Sequence, residues 1–138
     1  MSERQRTQSG ASAVEFALVL PLLVLLAFGI IEFSMALYDK AMITNASREG
    51  ARAGIAFRVP PVSDDEIVNV VNTYLGNSLI TFAGPAAAAT TVTRNGSTPG
   101  DELTVSVDYT YTFFLIPNFI TDLTGGVRLM AATVMRME

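Results

Sequence analysis

The chain has 138 residues, a formal charge of −4, and neither cysteine nor histidine. That length allows one modest domain, and the mild acidity argues against nucleic acid, whose phosphates call for a basic patch. Without cysteine there is no disulfide framework and no thiol chemistry, and without histidine the commonest general base and metal ligand are gone.

The first ten residues carry Arg4 and Arg6 against one acid, Glu3. A short basic leader before an apolar run favours a cytoplasmic amino terminus and an extracytoplasmic carboxyl side. Gly10-Ala11-Ser12-Ala13-Val14-Glu15-Phe16 then opens the most apolar stretch of the chain. From Phe16 to Ile31 no residue is charged, and twelve of the sixteen are Phe, Leu, Val or Ile. At about 0.3–0.6 kcal/mol each, they favour the bilayer by about 4–7 kcal/mol. Glu15 does not prevent insertion, because an acid near the interface costs less than the roughly 2.5–3.5 kcal/mol of mid-helix. Its presence still needs a reason. Pro21 has no amide hydrogen and its ring crowds the carbonyl of Ala17, so a kink or local melting is expected there.

Three readings fit this run. A cleavable secretory signal finds small residues in Ser34-Met35-Ala36. However, Ala11 to Ile31 is 21 residues, roughly 32 Å as a helix, which matches a bilayer rather than a short signal core. A plain signal anchor fits that length and leaves Glu15 unexplained. In a prepilin-type signal, a cytoplasmic-side peptidase cuts before the apolar segment and leaves it in the product.

Gly10 through Phe16 resembles the processing motif of the Flp/Tad subclass of type IV pilins: glycine, four residues, glutamate, then Phe or Tyr. Gly10 to Pro21, then Gly29-Ile30-Ile31-Glu32-Phe33, then Asn45 to Ala53, together resemble the TadE-like family of pilin-like proteins. The likeness is close over roughly residues 8–56 and holds only in outline beyond. It implies a pseudopilin of the Tad pilus and secretion system, with Gly10, Ala11, Glu15 and Phe16 as the processing site. Its partners would be a prepilin peptidase, other pilin-like subunits, Tad assembly proteins and the lipid bilayer. Neither nucleic acid nor a small-molecule substrate is implied.

Glycine before the scissile bond offers a peptidase an unobstructed backbone. Cleavage there creates an ammonium at Ala11, and Glu15 follows about one helical turn later. In a bundle of such helices, a neighbour's ammonium against Glu15 would relieve a costly unpaired carboxylate and set the axial register between subunits. The alternative is that Glu15 stays hydrated among the headgroups.

Beyond the membrane, Glu32 to Phe57 contains no proline. Phe33, Ala36, Leu37, Ala41, Thr44 and Ser47 or Arg48 recur at three- and four-residue steps, which predicts an amphipathic stripe. Arg48, Glu49 and Arg52 read as a solvated face. Gly50, Ala51, Ala53 and Gly54 would let another element pack closely. Val59-Pro60-Pro61 ends the helix, giving one rod of about 45 residues, roughly 65–70 Å long.

Ser63-Asp64-Asp65-Glu66 reads as a capping box opening a second helix, not as a metal site. Ile67, Val70, Val71 and Tyr74 share a face, with Val68 and Leu75 beside it, and Gly76 or Asn77 stops it. Leu103, Val105, Val107, Tyr109, Tyr111 and Phe113 alternate with Thr104, Ser106, Asp108, Thr110 and Thr112, as in a half-buried strand. Thr90 to Arg94 and the alternation Val127, Leu129, Ala131, Thr133, Met135, Met137 supply two more strands. The turn-rich residues from Asn95 to Gly100 make the first link a hairpin. Residues 83–89 and 117–126 read as loops, and Asp101, Asp108 and Asp122 as scattered turn and surface acids.

The expected architecture is α+β and pilin-like. It comprises a leader at 1–10, a membrane-spanning and extended helix at 11–58, and at 59–138 a small antiparallel head with one short helix. No catalytic residue, metal site or cofactor is indicated, and an enzyme is the least supported class. The expected protein is a single-pass inner-membrane minor pilin or pseudopilin that helps initiate, cap or extend a filament. The alternatives are an uncleaved membrane-anchored scaffold and a secreted binding domain released by signal peptidase.

Overall fold

The computed structural model describes residues 3–82, 87–96, 98–113 and 126–137. One helix, α1, runs from Glu3 to Ile55, 53 residues in all and roughly 80 Å long. It is followed by α2 (Asp64–Leu75), β1 (Ala89–Arg94), β2 (Glu102–Tyr111) and β3 (Val127–Arg136). The strands form one antiparallel sheet in the order β1-β2-β3. The helix is continuous across Pro21, without the local melting that is one expectation there. Beyond the apolar run, α1 ends at Ile55, short of residue 58. Pro60 and Pro61 have no amide hydrogen to donate back to the carbonyls of Ala56 and Phe57, so the last turn cannot be extended through them.

The head packs on the far half of α1. Tyr111 lies beside Glu32, Thr133 beside Ser47, and Leu103 beside Gly54. So β3 runs in the same direction as α1, away from the membrane end, and β2 runs back towards it. The inward face of β2 alternates as its sequence does: Leu103, Val105, Val107, Tyr109 and Tyr111 are buried. The register sets Val105 opposite Val92 and Thr133, and Val107 opposite Thr90 and Ala131. Val105 and Val107 therefore have a cross-strand neighbour on both sides, whereas Tyr109 and Tyr111 are paired with β3, opposite Leu129 and Val127.

Helix α2 lies beside α1 and under β1. Ser63 is its N-cap: Ser63 Oγ accepts from the Glu66 amide at 3.2 Å, and Glu66 Oε2 accepts from the Ser63 amide at 2.9 Å. Arg58 and Arg94 pair with the same first turn, Arg58 at Glu66 (2.7 Å) and Arg94 at Asp64 (2.7 Å). The acids Asp64 and Glu66 are thus explained by capping and by these ion pairs. Gly76, at φ +45°, closes the helix. Ile67, Val71 and Leu75 are its buried residues, whereas Tyr74 is exposed.

Two glycines make the helix–helix contact possible. A Cβ on Gly50 would stand 2.5 Å from Val71 Cγ2, and one on Gly54 would stand 2.6 Å from Ile67 Cδ1. With Ala51, they let α2 and the sheet approach the backbone of α1.

The buried face of α1 takes in only part of the stripe read from the sequence, namely Ala36 and Ser47. Glu32, Asp39, Ile43, Ala46, Ser47, Gly50, Ala51 and Gly54 are buried, with Met35, Ala36 and Met42 packed against the core. Phe33, Leu37 and Ala41 point outward. Outward apolar residues are expected next to lipid, so hydrophobicity alone does not separate the two faces here. Of the stretches read as loops, residues 83–86 and 117–125, Asp122 included, lie outside the described residues. Arg52 pairs with Glu49 at 3.1 Å on the exposed side of α1, and Arg48 is exposed, as a solvated face requires.

Candidate assembly segment and its anchorage in the head

Gly10, Ala11, Glu15 and Phe16 lie on a free stretch of α1. All four are exposed, as is every residue from Gly10 to Phe28. An 18-residue window of this helix reaches a mean hydropathy of 2.7, and none of it is buried within the chain. Such a surface is suited to lipid or to other helices of the same kind.

Gly10 differs from Gly50 and Gly54. A Cβ on Gly10 would meet nothing within 4 Å, and its φ is not in the left-handed region. Neither packing nor backbone conformation within this chain calls for glycine there. A glycine inside a helix costs about 0.5–1 kcal/mol relative to alanine. The Gly10–Ala11 bond sits within continuous helix, so an enzyme that cuts it must first unwind it.

Glu15 and Ala11 are one turn apart on the same exposed helix, and Pro21 falls six residues beyond Glu15. Glu15 takes part in none of the ion pairs among the described residues. The structure therefore puts Ala11 and Glu15 on one side of an exposed helix and places the motif far from the head.

Sequence reasoning missed how α1 is fixed to the head. Tyr111 donates its hydroxyl proton to Glu32 Oε1 at 2.8 Å, both groups being buried. Burial, and then the hydrogen bond and charge of Glu32, push the Tyr111 phenol well above its ordinary pKa of 10.0. Two turns further on, Asp39 Oδ1 accepts from the Ile80 amide at 2.9 Å. Tyr109 donates to the Ile80 carbonyl at 3.0 Å, and burial also raises its pKa. Both backbone polar groups of Ile80 are thus held, one by the helix and one by the sheet. Asp39 Oδ2 is buried and has no hydrogen-bond partner among the described residues. The available signal was the spacing Glu32 to Asp39: seven residues apart, two acids share one helix face. Opposite them, Tyr109 and Tyr111 share one strand face.

Among the described residues, no cluster of three or more His, Cys, Asp or Glu side chains could hold a metal ion. What the arrangement offers is a long apolar helix, one end exposed and carrying Glu15, the other clamped to an α+β head.

Residues 10–52 match the family model described as TadE-like protein. No curated protein and no solved structure matches the chain. The matched segment begins at Gly10 and ends near the close of α1, so it takes in the exposed motif, the apolar run and most of the face on which the head packs. The match covers 43 of the 138 residues, and over this helix the chain is similar to the TadE-like family.

Proposed function

We propose that this chain is a minor pilin or pseudopilin of a Tad-type pilus or secretion system, acting in filament initiation or assembly. A prepilin peptidase matures it between Gly10 and Ala11. The observation that carries the reading is Gly10 itself: it opens the TadE-like segment, and nothing in the folded chain needs a glycine there. Residues 11–31 stay in the product as the membrane-spanning segment, with the amino terminus cytoplasmic and the head outside. In the assembly, Glu15 pairs with the new Ala11 ammonium of a neighbouring subunit, and Pro21 allows the helix to bend as the subunit leaves the bilayer. No substrate or cofactor takes part.

Amino-terminal sequencing and the mass of the membrane-bound protein test this. With an active prepilin peptidase present, the mature chain begins at Ala11, and Gly10→Val leaves the precursor intact because a β-branched residue crowds the scissile backbone. A chain that begins at Leu37 would be a secreted domain and end the pilin reading. A second reading, an uncleaved membrane-anchored scaffold of the assembly machine, draws on one observation. Helix α1 is unbroken from Glu3 through Gly10 and Ala11. In that case the full precursor mass persists and Gly10→Val changes nothing.

A further inference from the structure

Between Glu15 and Glu49 the only acids on α1 are Glu32 and Asp39. Both are turned into the head, at 1% and 0% exposure. What α1 presents outward at that level is Ile31, Phe33, Leu37 and Tyr38, 44–63% exposed. Ser34 lies on the same side, and its hydroxyl is satisfied by the Ile30 carbonyl at 2.7 Å. So the outward surface stays free of charge from Phe16 to Tyr38, two turns past the end of the apolar run. That is 23 residues, roughly 35 Å of helix against a hydrocarbon core of about 30 Å. The first charge after it is Lys40.

Lys40 lines a groove between α1 and β3, the outer strand of the sheet among the described residues. The groove, about 270 Å³, is lined by Phe33, Leu37, Val127 and Met130, with Lys40 and Arg128 at its edge. Lys40 Nζ donates to the Met130 carbonyl, which fixes the ammonium on this side. Arg128 bonds Asp108 at 2.9 Å through Nε and is still 66% exposed. An apolar trough rimmed by two cations, on a chain of net charge −4 and continuous with a membrane-spanning surface, has the chemistry of a phospholipid's glycerol and phosphate. Tyr38 beside it is suited to the same depth.

We propose that this groove seats a phospholipid of the leaflet on the head's side, with its apolar part on Phe33, Leu37, Val127 and Met130 and its phosphate between Lys40 and Arg128. The lower end of the head therefore rests in the bilayer interface instead of standing clear of it. The Tyr111–Glu32 contact is what keeps an acid out of that lipid-facing surface. The inference rests on reading α1 as a membrane-spanning helix.

The chain has no cysteine, so a single introduced thiol carrying an environment-sensitive fluorophore reports alone. Leu22→Cys, Met130→Cys and Val134→Cys in the full chain are compared in vesicles of phosphatidylcholine and phosphatidylglycerol containing brominated acyl chains. Leu22 tests the span. Met130 tests the groove, and Val134, about 13 Å further along the same face of β3, is the distal control. Quenching at Leu22 and Met130, with little at Val134, is expected. Lys40→Glu with Arg128→Glu should cut the Met130 quenching at least about twofold and leave that of Leu22 unchanged. Lys40→Gln, which keeps most of the stem, should give a smaller loss. If Leu22 is quenched and Met130 is quenched no more than Val134, the lipid site is overturned and the span stands. No quenching at Leu22 removes the spanning reading and this proposal together. Disulfide-linked dimers of the unlabelled Met130→Cys chain, in place of quenching of the labelled one, would give the groove to a second copy and overturn the lipid.

Discussion

The Tyr111 hydroxyl donates a 2.8 Å hydrogen bond to Glu32 Oε1 across 79 residues of sequence, joining the last rung of the central strand to the helix where it leaves the apolar run. A buried carboxylate is expensive unless satisfied, so the two groups depend on one another. Tyr111→Phe removes the donor and keeps the ring. It should destabilise the head by about 1–3 kcal/mol in denaturant unfolding. The pH dependence has a definite sign. The folded pKa is raised above the ordinary 10.0, so the contribution is complete below about pH 10. It is lost as pH rises further, when the unfolded phenol ionises and the folded one does not. The wild type should therefore lose stability above about pH 10 more steeply than Tyr111→Phe.

Close packing of α1 on α2 gives the second expectation. Gly50→Ala would drive a Cβ to 2.5 Å from Val71 Cγ2, and overpacking of this kind costs about 1–3 kcal/mol. Gly10→Ala meets no neighbour within 4 Å and should leave the unfolding of the head unchanged. Equal thermal shifts for the two would mean that α2 does not sit on Gly50.

Strand faces are tested by a pair of neighbours. Val105 is fully buried between Val92 and Thr133, whereas Ser106 faces the other side of the sheet. Val105→Asp should cost about 3–5 kcal/mol and render the head protease-sensitive, and Ser106→Asp should cost less than about 1 kcal/mol. Similar sensitivity in both would show that the faces are assigned wrongly.

The elements that could be read from the sequence are those with one environment per face. The alternation from Leu103 meets core on one side only, so its period and burial agree as far as Tyr111, where β2 ends before Phe113. The capping box at Ser63 and Glu66 is local chemistry and needs no tertiary knowledge. Along α1 the logic fails because its apolar residues lie on two sides, some pointing outward and some against the head. Phe33 and Leu37 are on the outward side, while Glu32 and Asp39 face the head, where Glu32 Oε1 accepts from Tyr111 and Asp39 Oδ1 from the Ile80 amide. No pattern of hydrophobicity in α1 alone reveals that two acids are interior. That depends on partners 41 and 79 residues away. The motif around Gly10 was legible by resemblance alone, and the fold adds that it lies exposed on α1.

Glu15 is where the proposed function is most exposed. It lies on a free helix, one turn from Ala11 and far from the head, so the folding of the monomer should not depend on it. Glu15→Gln keeps the shape and removes the charge, and membrane insertion should become slightly easier. Cleavage at Gly10 should continue, because the scissile backbone is unchanged. Incorporation into filament material should fall, because a neighbour's Ala11 ammonium is left in a poorly hydrated bundle without its counter-charge. Comparing processed protein in membranes with protein recovered in sheared or crosslinked filaments measures both halves. Normal processing together with normal incorporation would leave Glu15 as a hydrated interfacial residue and remove the physical argument for subunit register.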